Sequence, residues 1–465
     1  MNKIIIIGGG FSGTMLAIQL MRYKPSVALD IILIEKFHDF GKGLAYGTQS
    51  PHHLLNVPAG KMSGLPQEPE HFLNWLRQKN FDLQPSSFVS RTSFGEYMAD
   101  CLAEAEQSKP ENIHFQKLQA EVVSIEDLEI SPKVRLQSGV SLPAHQIVLA
   151  LGNCADAVPN SPASSFYEHP RFIANPWNAD AIADIPPEAD LFILGTGLTM
   201  VDKVLQLQDQ GHRGKIVALS RKGMIPQVHD LSVQPFSKLF DETDLTSLRQ
   251  MVKKFRATLS EKGLDWRALV DGLRPDTQNI WRQLAEKDKK TFLRHLRPYW
   301  EYHRHRMAPQ VHAEIQQLLK TGQLTLLAGR IQDYNESSDD VEIVIQPRKQ
   351  REYQSLRVAH VLNCSGSGTN FLQRKDLLTQ QLFKDGHIVP DSLNLGLTCR
   401  PDGSLLNSKG LTTALFTLGP PMKGLLWEST AVPDIRQQAQ SLAKVLIESI
   451  PADAEKLSAN SLYYC

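Results

Sequence analysis

Two short apolar runs, each stopping at a glycine-rich turn and reopening as an amphipathic stretch, predict an α/β protein with two Rossmann-like dinucleotide-binding domains. Two later strand-to-glycine segments predict that the second domain is inserted into a discontinuous first one, and a helix-rich stretch is expected as a further insert. The first run, Ile4-Ile5-Ile6-Ile7, leads into Gly8-Gly9-Gly10-Phe11-Ser12-Gly13. Gly8 allows the tight turn, Gly10 lets the backbone approach a pyrophosphate, and Gly13 lets the next helix pack close to the strand. The helix opening at Phe11 and Ser12 offers unpaired N–H groups to that anion.

The second strand, Ile31-Ile32-Leu33-Ile34, ends at Glu35, followed by Lys36. An acidic side chain about 20 residues past the glycines can hydrogen-bond an adenosine ribose. The plainer reading is a surface Glu closing a strand. A 2′-phosphate would be repelled here, so this site suits FAD or NAD rather than NADP.

The theme returns at Leu191-Phe192-Ile193-Leu194, followed by Gly195-Thr196-Gly197-Leu198-Thr199-Met200 and a helical stretch to about Gln210. Met200 replaces the third glycine, which predicts a slightly wider spacing of helix and strand. The next strand, Ile216-Val217-Ala218-Leu219, ends in Ser220-Arg221-Lys222. Arg221 suits a 2′-phosphate through its charge and its planar fork of donors, which favours NADPH over NADH. A solvated surface pair is the alternative. Two such sites in one chain point to a flavoprotein whose FAD accepts a hydride from a nicotinamide.

Between the turns, residues from about 113 to 150 alternate in short runs that read as a β-meander, closing at Gly152. A similar strand-to-glycine segment covers 358–366, after a pair of strands near 323–347. The last strand, 414–418, meets Gly419-Pro420, and Val432-Pro433 opens a helix to about Glu448 with Ser429 or Thr430 available as cap. A helix N-terminus beside a flavin ring would stabilise its reduced, negative form. The expected division is 1–180 for the first part of the FAD domain and 187–355 for the NAD(P) domain, which carries the helical insert at about 234–321. The second part of the FAD domain is expected at 356–465.

A chain of 465 residues fits two or three domains. Fifty basic residues balance fifty acidic ones, which gives no support to nucleic-acid or anionic-membrane binding. No apolar run is long enough to span a bilayer, and the N-terminal run reads as a strand rather than a signal peptide. The five cysteines, Cys101, Cys154, Cys364, Cys399 and Cys465, are dispersed without a C-x-x-C pair. They suit a reducing cytoplasm, and Cys154 and Cys364 read as buried inert thiols.

The chain resembles the FAD–NAD(P)-binding family of bacterial flavoproteins, a relative of the class B flavin monooxygenases that include N-hydroxylases and Baeyer–Villiger enzymes. The resemblance is carried by residues 8–13, Gly43-Leu44-Ala45-Tyr46, residues 53–59, Asn175-Pro176-Trp177, residues 195–199 with Asp202, Leu219-Ser220-Arg221, residues 303–306, Gly419-Pro420 and residues 426–430. It implies that residues 55–63 lie along the flavin ring, with Asn56 and Lys61 as candidates to contact flavin or substrate. The alternative is a loop turned by Pro58 and Gly60. Arg91 and Tyr97 lie in a segment that is close to FAD in the wider class, so Arg91 could pair with pyrophosphate or simply form a salt bridge. His169 does not keep the spacing of the monooxygenase fingerprint, and no catalytic role is carried onto it.

In the insert, Arg297, Trp300 and Arg304 recur at helical spacing and could share one cleft. The run His303-Arg304-His305-Arg306 interleaves cations, which argues against metal binding and for an anionic substrate or the NADPH phosphates; a solvated basic face is the other reading. The resemblance implies an NADPH-using FAD oxidoreductase of monooxygenase type, N-hydroxylase-like, transferring oxygen to a small substrate through a flavin hydroperoxide. Two alternatives remain: a flavin reductase or dehydrogenase without oxygen insertion, and a non-catalytic FAD-binding redox sensor. Oligomeric state is left open.

Overall fold

The computed structural model describes residues 1–450 apart from Lys24, Ser26, His38, Asn80, Phe81, residues 154–163, Ala179, Ser338 and Ser367. The first sheet has the strand order Ser404–Leu406, Thr412–Thr417, Gln146–Leu149, Asn2–Ile7, Leu29–Glu35, Ile113–Gln119. All neighbours run parallel except the antiparallel edge strand Ser404–Leu406. The central strands are buried on both faces, which is why they read as unbroken apolar runs rather than alternating ones. Helices Phe11–Arg22 and Val432–Glu448 pack together on one face. A small antiparallel sheet (Val122–Glu126, Lys133–Leu136, Ser141–Pro143) and helix Leu377–Lys384 cover the other.

The second sheet has the order Gln354–Val358, Val341–Pro347, Leu324–Glu336, Ile216–Ser220, Leu191–Leu194, His360–Asn363, Phe172–Ile173. Its parallel centre pairs Ala218 with both Ile193 and Leu326. Helices Leu198–Asp209 and Pro309–Thr321 cover one face. Phe166, Phe172 and Tyr334 fill the other.

The chain crosses between the sheets at points other than those the sequence suggests. Phe172–Ile173, expected in the first part of the FAD domain, and His360–Asn363, expected in its second part, are adjacent strands of the second sheet. Each is too short to announce its partner, so pairing across 189 residues decides membership. The expected meander is likewise divided. Ile113–Gln119 and Gln146–Leu149 join the parallel sheet, and only the three strands between them form an antiparallel unit. Helix Pro309–Thr321, expected in the insert, is the crossover into Leu324–Glu336 and packs in the second domain through Val311, Ile315 and Leu318.

The insert proper consists of helices Leu248–Glu261, Trp266–Gly272, Thr277–Gln283, Glu286–His295 and Arg297–Arg304. Its core, with Leu269 and Trp281, extends onto Leu395 and Trp427 of the first domain's C-terminal portion. Trp281 stacks on Trp427 with ring centroids 5.0 Å apart and donates through Nε1 to the Gly424 carbonyl at 2.9 Å.

Candidate active site

At the first turn, Gly8 has φ +107°, and a Cβ there would collide with the Ala150 carbonyl. A Cβ on Gly13 would strike the Gly8 carbonyl, so helix and strand touch as the motif requires. The nearest atom to a Cβ on Gly10 is the Gly43 Cα at 3.5 Å, which leaves the outer side of the turn open. The Gly9 amide donates to Glu35 Oε2 at 2.7 Å and the Phe37 amide to Oε1 at 3.1 Å. Glu35 is thereby fixed at the rim of the turn. Lys36 is exposed, its Nζ 5.0 Å from the centre of the Phe37 ring. The Phe11 ring is buried against Tyr46 and Phe94, so only its backbone faces the turn. Gly152 has open space beside it, and Gly419 passes so close to Ser12 that a Cβ would lie 2.6 Å from its Oγ.

The second turn repeats this geometry. Gly195 has φ +101°, and a Cβ would collide with the Cys364 carbonyl, whereas nothing lies within 4 Å of one on Gly197. Leu198 and Thr199 open the helix, and Met200, in place of the third glycine, is fully buried. Ser220 Oγ accepts from the Gly223 amide at 2.9 Å and from Thr196 Oγ1 at 2.9 Å. Arg221 is exposed and makes no ion pair or hydrogen bond among the described residues.

Arg91, a candidate for pyrophosphate, instead reaches across to the second domain. It pairs with Asp202 at 2.8 Å, and its Nε donates to the Leu54 carbonyl at 3.2 Å. Beside it, His53 Nε2 donates to the Asp202 carbonyl at 3.0 Å while Nδ1 accepts from Thr48 Oγ1 at 2.6 Å. Burial, reinforced by the charges of Lys203 and Arg91, pushes His53 down to about 4, so the ring is neutral. The Lys203 ammonium sits 4.6 Å over the Trp177 ring and is pushed down to about 8 by burial. Burial raises Asp202 above the usual carboxylate range even with Arg91 beside it.

The loop over residues 55–63 is held by two hydrogen bonds to its carbonyls, one from each of two other elements. His229 Nε2, from the second domain, donates to the Asn56 carbonyl at 3.0 Å. Arg436, from the C-terminal helix, donates to the Ser63 carbonyl at 2.6 Å. Lys61 is exposed and lowers the pKa of Asp271 in the insert. His229 itself carries no motif; only its burial and its contact across 173 residues reveal it.

Above the loop lies a charged cluster. Arg306, 1% exposed, holds Asp271 in a two-pronged pair at 2.7 and 3.0 Å, and Arg274 Nε lies 3.0 Å from the same carboxylate. Trp300 Nε1 donates to Glu428 Oε1 at 2.8 Å, and Arg304 approaches Oε2 at 3.6 Å. Trp300 and Arg304 therefore do converge. Arg297 does not join them: it pairs with Glu301 at 3.5 Å. In the run 303–306 the two arginines turn inward, while His303 bonds the Tyr299 carbonyl and His305 approaches Glu301 at 3.3 Å. Trp427 holds φ +62°, an uncommon conformation for a non-glycine residue, under its stacking with Trp281.

The helix Val432–Glu448 is capped by neither Ser429 nor Thr430. Its N-cap is Ala431, without a side-chain bond; Thr430 is exposed, and the fully buried Ser429 Oγ has no hydrogen-bond partner. Asp434 in its first turn is pushed up to about 6 by burial and by Glu428. Cys101, Cys364 and Cys399 are free thiols pushed up to about 12 by burial; Cys154 and Cys465 lie outside the described residues. His169 approaches Glu336 at 3.7 Å on the far face of the second sheet.

Two glycine turns open on their outer sides, one bordered by a fixed carboxylate and one by a guanidinium without a partner among the described residues, fit two dinucleotides of different kinds. The fold is of the two-domain Rossmann-like FAD/NADP type found in flavin monooxygenases. Residues 5–154 match the model of the family described as FAD-NAD(P)-binding. No curated protein matches the sequence. Among solved structures, the chain is similar to an ornithine N-hydroxylase from Kutzneria sp. 744, at 15% identity and TM-score 0.62, over 96% of this chain and 99% of that one. It is similar to L-lysine 6-monooxygenase from Pseudomonas syringae at 15% identity and TM-score 0.65, over 97% and 100%. A bacillithiol disulfide reductase from Staphylococcus aureus aligns at 11% identity and TM-score 0.56, also over 97% and 100%.

Proposed function

We propose that the protein is a cytoplasmic FAD-dependent, NADPH-using monooxygenase that acts on a small molecule, anionic in the reading developed below. FAD is assigned to the first turn (Gly8, Gly10, Phe11, Ser12, Gly13), with Glu35 and Lys36 at its ribose end and Asn56, Gly152, Gly419 and Thr430 along its length. NADPH is assigned to Gly195, Gly197, Leu198 and Thr199, with Ser220 and Arg221 at the 2′-phosphate. The observation that carries the reading is the contrast between Glu35, tied to the first turn by the Gly9 amide at 2.7 Å, and Arg221 at the second, exposed and without a partner among the described residues. The end-to-end likeness to N-hydroxylating enzymes supports the choice of oxygen transfer.

When bound, the two cofactors supply hydride transfer and oxygen activation. The chain's own residues bind and orient. His229 and Arg436 hold the 55–63 loop by its carbonyls, and the insert covers the C-terminal segment and excludes water. Arg91 is assigned here to the domain junction through Asp202 rather than to the pyrophosphate.

The test is to purify the protein, measure bound flavin, and mix it anaerobically with NADPH before adding oxygen and candidate amines. Bleaching of the flavin followed by hydroxylated product supports the reading. Flavin that NADPH does not bleach sinks it. Bleaching that yields only peroxide or a reduced acceptor favours a reductase, the reading suggested by the likeness to the disulfide reductase. The buried thiols, held near pKa 12, are poor partners for disulfide exchange.

A further inference from the structure

Where the insert meets the C-terminal segment, the buried charges do not balance. Arg274, Arg304 and Arg306 come from the insert and Arg436 from the C-terminal helix; facing them are Asp271, Glu428 and Asp434. Two of the carboxylates are already committed, Asp271 to Arg306 and Glu428 to the Trp300 indole.

Arg436 is bonded to the Ser63 carbonyl, whereas Arg274, Arg304 and Asp434 are incompletely paired among the described residues. Arg304, with its side chain 11% exposed, reaches Glu428 only at 3.6 Å, and its buried Nε has no hydrogen-bond partner among the described residues. Arg274 lies beside Asp271 without an aligned hydrogen bond. Asp434 Oδ2 and the fully buried Ser429 Oγ are also without hydrogen-bond partners among the described residues. Burial first, and the charge of Arg304 second, pull Arg274 down to about 10. A buried polar group left unsatisfied costs about 1–3 kcal/mol, and charged groups cost more. The buried Nε donors of Arg304 and Arg274, both without an aligned acceptor among the described residues, are what an acceptor on a ligand would satisfy. Guanidinium forks suit an oxyanion, which would supply the missing negative charge.

We infer that Arg274 and Arg304 recognise an acidic group, carboxylate or phosphate, on the substrate, beneath the helical insert. The location rests on the flavin-enzyme reading, because Arg436 ties the same helix to the Ser63 carbonyl at the end of the loop assigned to the flavin ring. With the flavin ring along that loop, an oxyanion bound here would add a negative charge on its side of the C-terminal helix, and a change in flavin absorption is expected.

The experiment titrates the purified, oxidised holoprotein with succinate and with inorganic phosphate, following the visible flavin band. It needs neither NADPH nor oxygen, so it stands even if oxygen insertion fails. A saturable perturbation is expected from at least one probe, and the effective probe distinguishes carboxylate from phosphate. Arg304→Ala and Arg274→Gln are each expected to weaken binding about tenfold or more, with Arg304→Lys recovering only part of it. Arg297→Ala, outside the cluster, serves as the control and leaves the titration unchanged. Arg274→Gln alters a side chain 27% exposed, so it remains informative if Arg304→Ala does not fold. No saturable perturbation by either probe overturns the proposal. Lost FAD content, or a raised NADPH requirement in place of lost probe binding, assigns the guanidiniums to a cofactor phosphate and overturns it equally.

Discussion

Glu35 and Arg221 occupy corresponding strand ends in the two domains, and their surroundings separate them. Glu35 already accepts two backbone amides, whereas Arg221 has no partner among the described residues. Charge-assisted bonds are worth about 1.5–3 kcal/mol, so Arg221→Ala is expected to raise the KM for NADPH by about ten- to a hundredfold. The KM for NADH should change little, and the melting temperature should stay put because the side chain is exposed. Steady-state flavin reduction with both nucleotides checks this; equal effects on the two would remove the 2′-phosphate assignment. Both residues are legible in the sequence because their spacing from the glycines is local. His229 and Asp271 are not legible, since nothing beside them in the chain marks what they touch.

Between elements, the start of helix Arg91–Ser108 and the body of helix Leu198–Asp209 are joined by a buried ion pair, with side chains 14% and 8% exposed. Removing one member of such a pair leaves the other charge uncompensated in the interior, at a cost of about 3–5 kcal/mol. Arg91→Ala is expected to lower the stability of the domain junction by that amount in denaturant unfolding. Replacing both partners, Arg91→Met with Asp202→Leu, should recover most of the loss. A loss of only a few tenths in Arg91→Ala would show that the pair is solvated and does not fasten the domains. The sequence marks both residues as noteworthy and offers Arg91 either a pyrophosphate or a salt bridge, without naming the partner. Its true partner lies on another domain, where motif spacing carries no information.

Across the whole molecule, two buried histidines set the response to acid. His53 and His229 are each pushed down to about 4, chiefly by burial, against about 6.5 in an unfolded chain. Below pH 6.5 the unfolded chain therefore takes up protons that the fold excludes. The stability they contribute is complete above pH 6.5 and is lost as the pH falls toward 4, on the order of 3 kcal/mol for each ring. Asp434, pushed up to about 6, takes up its proton in the same interval and offsets part of the loss. The melting temperature is expected to fall steadily from pH 7 to pH 4.5, less steeply in His229→Gln and more steeply in Asp434→Asn. A flat profile in the parent protein would mean that neither ring resists protonation.

The two glycine turns, the helix and strand flanking each, and the acidic and basic residues at the two strand ends are all specified by local sequence. These features follow from backbone sterics and from spacings of a few to about 20 residues, which the chain states locally. Only the tertiary structure decided where the chain changes domain, that Pro309–Thr321 is a crossover helix, and that Arg91 joins the two domains. It alone brought Arg274 and Arg304 to face Glu428 and Asp434. The physical reason is that buried charge is stabilised by whatever lies opposite it, and here the opposite residues are more than a hundred positions away in the chain.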